Sequence, residues 1–165
     1  MPRPRPKQPL KTSVLDRLLD DSPEVSTDPP IPESKSLREL RQTVRRDLEN
    51  LLNTRQRALS WPKSLEELES SLVNYGIPDF AGVNLGSSEG RDEIRRILEQ
   101  TIRRNEPRFQ RVKITLLDNL EPLDRVLRFR IEALLRVEPA PEPVTFDSVM
   151  EPVSGSFELK GRDRD

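Results

Sequence analysis

The hydrophobic period of this 165-residue chain changes at Pro107. Before it, apolar residues recur at every third or fourth position; after it, at every second. An α-helix shows the same face every ~3.6 residues and a strand every two, so one segment cannot satisfy both patterns. The chain therefore divides into helices first and strands after. Proline enforces the boundary, because the residue ahead of it is driven out of the helical region.

In the helical half, Ser36 and Glu39 form a capping box that opens a helix. Leu37, Leu40, Val44, Leu48, Leu51 and Leu52 make its apolar stripe, and the pattern runs to about Thr54. A second box, Ser64 with Glu67, predicts a shorter helix with Leu65, Leu68 and Leu72 turned inward. Asn74 to Pro78 (NYGIP) supplies its stop, with Gly76 as a left-handed helix end and Tyr75 and Phe80 filling core beneath the loop. Trp61, the only tryptophan, reads as a core plug with a binding anchor as the alternative. Ser87 or Ser88 caps the next helix, whose stripe is Ile94, Ile97, Leu98 and Ile102 and whose outer face carries Arg95, Arg96, Arg103 and Arg104.

Beyond Pro107, Val112, Ile114 and Leu116 alternate with polar residues. So do Leu127, Phe129, Ile131, Ala133 and Leu135, then Val144 and Phe146, then Phe157 and Leu159. The intervals are too short for crossover helices, so the strands pair antiparallel. The expected fold is α+β: helices packed on one face of a small three- to four-stranded antiparallel sheet, with the strands in the C-terminal half.

Residues 1–12 (MPRPRPKQPLKT) form a flexible basic arm, because proline at alternate positions blocks helix. Residues 13–35 hold a short helix, Ser13 to Asp21, and a linker with four prolines. The helix has an apolar stripe of Val14, Leu15, Leu18 and Leu19 and needs a surface in its own domain or a partner. Residues 36–160 form the single α+β domain, and 161–165 a flexible tail.

Net charge is −1, so no global field selects nucleic acid or an anionic membrane. Locally, Arg91 to Arg111 holds seven arginines against four acids, and Val137 to Asp165 holds seven acids against three bases. These blocks read as solvated faces or as docking surfaces. The chain has no Cys and no His. Thiolate nucleophiles, serine–histidine triads and nearly all zinc sites are thereby excluded, whereas carboxylate chemistry is not. No apolar run approaches the ~20 residues of a membrane span, and the N-terminus lacks the apolar stretch of a secretory signal.

Glu106-Pro107-Arg108 is the most pointed local feature. Proline fixes its own φ and holds Glu106 extended, so Glu106 and Arg108 project on the same side of a rigid corner. On these residues alone the corner is either a helix stop with two solvated charges or an interface clamp.

Several stretches together resemble a known family. They are Ser13 to Leu19 (SVLDRLL), Arg46 to Arg55 (RDLENLLNTR), Ser71 to Phe80 (SLVNYGIPDF), the Glu106-Pro107-Arg108 triplet, Leu127 to Ala133 (LRFRIEA) and Glu142 to Asp147 (EPVTFD). In order and spacing the chain is similar to the TssE family, type VI secretion wedge subunits related to the phage baseplate protein historically labelled lysozyme-like. The resemblance implies a non-catalytic, cytoplasmic structural subunit in a baseplate docked at the inner membrane. It implies wedge partners TssF, TssG and TssK, sheath partners TssB and TssC, a role in starting sheath polymerisation, and no cofactor. It makes Glu106, Pro107 and Arg108 the interface residues. Under that reading Glu106→Ala leaves folding nearly intact and impairs wedge assembly. The rival reading is a peptidoglycan hydrolase, which needs two carboxylates ~5–9 Å apart in a cleft. No pair stands out for it, and the arginine beside Glu106 favours the ionised form over a proton donor. A nucleic-acid module rests only on the arginine-rich helices, without a phosphate loop or stacking aromatics.

Overall fold

Among the described residues, two α-helices precede a four-stranded meander. The structure, a computed structural model, describes residues 23–24, 33–57, 61–80, 82–84, 86–117, 126–137, 140–151 and 155–161. The basic arm, the Ser13–Asp21 helix and most of the proline-rich linker lie outside the described residues, as do residues 162–165 of the tail.

Helix α1 spans Glu33–Asn53. It begins three residues before the capping box predicts, which places Ser36 inside its first turn. Leu40, Val44, Leu48, Leu51 and Leu52 are buried, as their spacing requires. Helix α2 spans Ser88–Asn105, with Ile94, Leu98 and Ile102 buried and Ile97 half-buried at the edge of the stripe. Ser87 is its cap: the Gly90 N–H donates to Ser87 Oγ at 3.1 Å.

The segment between the helices departs from its pattern. Two short 3₁₀ turns, Glu66–Ser70 and Leu72–Asn74, replace the predicted α-helix. Leu65, not Ser64, stands at the first turn's start, with no side-chain cap. Leu65 and Leu72 face solvent, at 49% and 88% exposure, and Leu68 is half-buried. Asn74 diverts the chain: it is buried and its Nδ2 donates to Glu69 O at 2.9 Å, which closes a loop. Gly76 does adopt positive φ (+106°), directly after the C-cap of the second 3₁₀ turn and at a chain crossing. There the Ile77 N–H donates to Thr54 O and the Gln56 N–H to Ile77 O, at 2.9 and 2.8 Å. Tyr75 and Phe80 pack against the core as expected, while Trp61 is half-buried and stands outside the core cluster.

The strands are β1 (Phe109–Leu117), β2 (Leu127–Leu135), β3 (Glu142–Met150) and β4 (Phe157–Gly161). They pair antiparallel in the order β1-β2-β3-β4. Alternation sends Val112, Ile114, Phe129, Ile131, Val144, Phe146, Phe157 and Leu159 into the core. The opposite face carries Lys113, Arg130, Glu132, Asp147 and Lys160, with Arg130 Nε donating to Asp147 Oδ1 at 2.7 Å. A face this polar cannot bury a second layer cheaply, so both helices lie on the other side. Helix α2 packs over β1 and α1 over β4. Phe129 and Phe157 meet edge to face at 5.8 Å in the core.

Both sheet edges are partly occupied by side chains of the helices. On β1, Arg103 Nη2 donates to Val112 O and the Ile114 N–H donates to Glu99 Oε1, each at 2.9 Å. On β4, Asn53 makes two bonds to Phe157: Nδ2 donates to its carbonyl at 2.9 Å, and Oδ1 accepts from its N–H at 2.8 Å.

Candidate functional site

The corner predicted at Pro107 joins α2 to β1. Glu106 is the C-terminal cap of α2, with φ −120° and ψ 84°, and its N–H still reaches Ile102 O at 2.8 Å. Its carbonyl accepts from the Phe109 N–H at 3.2 Å, closing the turn into the strand. Pro107 sits exposed at the tip.

Proline does place Glu106 and Arg108 on one side. They turn onto each other, however, and do not project outward together. Glu106 is buried, at 5% exposure. Its Oε1 accepts from the Arg108 backbone N–H at 3.1 Å and from Arg108 Nε at 2.7 Å, and its Oε2 accepts from Arg108 Nη2. A carboxylate that far from water needs such charge-assisted partners. Arg108 Nη2 also donates to Asp47 Oδ2 on α1 at 2.7 Å. Arg46 engages the other oxygen of Asp47, with Nη2 3.2 Å from Oδ1. The result is a row of alternating charge, Arg46–Asp47–Arg108–Glu106, that ties α1 to the α2–β1 corner.

A cavity of about 400 Å³ opens beside the row, lined by Leu48, Leu51, Tyr75, Asn105 and Pro107 as well as Asp47, Glu106 and Arg108. Burial of Arg108 disfavours its charge, but the hydrogen bonds and charges of Glu106 and then Asp47 outweigh it and push the guanidinium above its ordinary range. Burial, then the charges of Asp47 and Glu106, raise the Tyr75 hydroxyl above its usual pKa.

Sequence reasoning singled out neither Arg46 nor Asp47 as a site residue, and Asp47 is the one that holds Arg108. It stands 61 residues from Arg108 and looks like any polar neighbour of a buried helical stripe. Its sequence signals are its place beside Leu48, on the edge of that stripe, and its position in the Arg46 to Arg55 stretch.

This arrangement suits recognition better than bond cleavage. Both Glu106 oxygens already hold Arg108 donors, and Arg108 lies between the two carboxylates, so neither is placed as a free proton donor. Among the described residues no group of three or more acidic side chains gathers as a metal site. No helix among them is long and apolar enough to cross a membrane.

No curated protein matches the sequence. A family model described as baseplate wedge protein gp25 matches residues 38–140. The match takes in α1, the 3₁₀ loop, α2, β1 and β2, and with them all four residues of the charge row. Covering more than half of the chain, it shows that this protein belongs to the baseplate wedge protein gp25 family.

Proposed function

We propose that this protein is a non-catalytic wedge subunit of a type VI secretion baseplate and that it helps to start polymerisation of the contractile sheath. Family membership gives it a structural baseplate role. The more specific reading is supported by its TssE-like stretches and, above all, by the corner of Glu106, Pro107 and Arg108. The Glu106–Arg108–Asp47 network holds that corner rigid, and Pro107 and the outer side of Arg108 stand at its surface. Glu106 therefore acts as the anchor of the clamp, while Pro107, Arg108 and the adjoining cavity meet the partner. The partners in this reading are TssF, TssG and TssK in the wedge and TssB and TssC in the sheath, in a cytoplasmic assembly docked at the inner membrane.

Sheath initiation follows from strand addition at a sheet edge, where main-chain bonds supply affinity and alternation supplies register. Helix side chains occupy the outer edge of β1 at Val112 and Ile114 and that of β4 at Phe157, so an incoming strand must displace them at either edge.

The test is a pull-down of tagged protein from its native cells, read by mass spectrometry, with Arg108→Ala beside the wild type. Recovery of wedge and sheath subunits by wild type, with at least about tenfold less by the variant, supports the reading; that loss corresponds to ~1.4 kcal/mol of binding. A wild-type sample that brings down none of them sinks it. Clearing of cell-wall suspensions by the purified protein would instead favour a hydrolase.

A further inference from the structure

The loop between the two helices turns apolar side chains outward. Leu65 and Leu72 face solvent, and Val73 beside Leu72 is exposed as well. A lone exposed leucine is ordinary on a protein surface. Here, however, every large hydrophobic side chain that stands exposed among the described residues falls within one stretch, Leu65 to Val73. Grouped exposure of that kind marks a surface that meets something.

The loop's own hydrogen bonds hold these side chains out. The Leu65 N–H donates to Pro62 O at 2.9 Å, and its carbonyl accepts from the Leu68 N–H at 3.1 Å. Ser71 Oγ donates to Leu68 O at 2.8 Å and accepts from the Val73 N–H at 3.3 Å. The Tyr75 N–H closes the second turn on Leu72 O at 3.2 Å, and the Asn74 side chain ties that turn back to Glu69 O. Turning the leucines inward would cost these bonds, so the loop presents them in a fixed arrangement.

The same stretch is acidic. Residues 61–75 carry Glu66, Glu67 and Glu69 against Lys63 alone, and all three glutamates are exposed. Such a surface repels nucleic-acid phosphates and anionic lipid. It suits a protein partner whose apolar side chains are flanked by Lys or Arg.

The form of that partner follows from the backbone. The N–H groups of Leu65, Leu68, Ser71, Asn74 and Tyr75 are already engaged inside the loop. Recognition here runs through side chains, as an amphipathic helix is read, and not through the main-chain bonds of an added strand. Val73 stands two residues from Tyr75, which lines the cavity beside Asp47, Glu106 and Arg108, so the patch borders the corner.

We propose that the loop of residues 65–73 is a docking surface for a basic amphipathic helix of another chain. Leu65, Leu72 and Val73 take its apolar side, and Glu66 and Glu69 take its Lys or Arg. The contact goes beyond the corner's role and needs no strand at the sheet edges.

Photocrosslinking on the full chain in its native cells tests it, with p-benzoylphenylalanine in place of Leu72 and the adducts sequenced by mass spectrometry. The expected adduct lies in another protein, in a segment where Lys or Arg flanks apolar residues at helical spacing. Glu66→Lys with Glu69→Lys on that background should cut its yield at least about tenfold. Both glutamates are exposed, so the urea midpoint should stay where it was. If it falls, Glu66→Gln with Glu69→Gln replaces the pair and should still lower the yield. The proposal is overturned by the absence of an adduct, or by adducts only with a second copy, lipid or nucleic acid. A partner segment without basic residues overturns it too, as does a yield that the charge changes leave intact. Each of these outcomes leaves the Arg108→Ala comparison at the corner standing, so the two readings fail separately.

Discussion

Glu106 holds the corner from within, and this changes what its loss should do. Glu106→Ala leaves a half-buried Arg108 with Asp47 as its remaining carboxylate. We expect a folded protein destabilised by about 2 kcal/mol, visible as a lower urea midpoint. A stability equal to wild type would mean that the carboxylate is not an internal anchor. Gly76 is constrained more tightly. A Cβ there would lie 2.5 Å from Thr54 O, on a backbone with φ +106°. Gly76→Ala should cost about 3 kcal/mol, since neither the conformation nor the crossing chain can yield easily. Tyr75 governs an alkaline effect. Its folded-state pKa is raised above 10.0 by burial and by the charges of Asp47 and Glu106. Below pH 10.0 the folded and unfolded chains both keep the proton, and this contribution is constant. Above it the unfolded chain releases the proton first, so stability falls as pH rises from there toward the folded pKa. Urea midpoints on either side of pH 10.0 should show that fall in wild type and a shallower one in Tyr75→Phe.

The elements differ in how legible they were. The strands could be read because alternation, sustained over nine residues in β2 and shorter in the others, fits little besides a half-buried strand, and all four appear where the alternation places them. Helix α2 was marked at both ends, by Ser87 and by Pro107. The 61–80 segment misled because leucines at helical spacing are only a pattern. A buried Asn74 and the crossing at Gly76 redirect the chain, and neither shows in hydropathy. Leu72→Ser distinguishes the two arrangements. At 88% exposure it should change stability by less than about 0.5 kcal/mol, whereas an inward leucine would cost several. The covering of the edges was equally hidden, because Asn53, Glu99 and Arg103 look like ordinary polar positions of amphipathic helices. Bare backbone on a sheet edge invites pairing with another chain. Glu99→Ala combined with Arg103→Ala should therefore raise self-association with concentration, followed by light scattering. A variant that stays monomeric at every concentration would show that the two side chains do not guard β1.

For the whole molecule, the charge blocks in the sequence turn out to be shared among different surfaces. The arginines of α2 divide: Arg103 serves the β1 edge, while Arg95 pairs with Asp92 at 3.2 Å on the helix surface. The acids of the C-terminal half divide as well, Asp147 on the open face of the sheet and Glu142 toward α1. Interfaces cannot be read from block charge alone, because adjacent residues in a strand face opposite sides. What the sequence did carry at this scale was the layer order, helices then sheet.

Helix α1 and strand β4 clasp one another through Asn53 with Phe157, and just outside them Arg55 Nη2 donates to Gly155 O at 2.6 Å. Sequential strands can pair as they leave the ribosome, but α1 must wait for β4 with its apolar stripe uncovered. This domain therefore cannot close its core until β4 has emerged. Fragments released before β4 carry an exposed row of leucines for proteases to find.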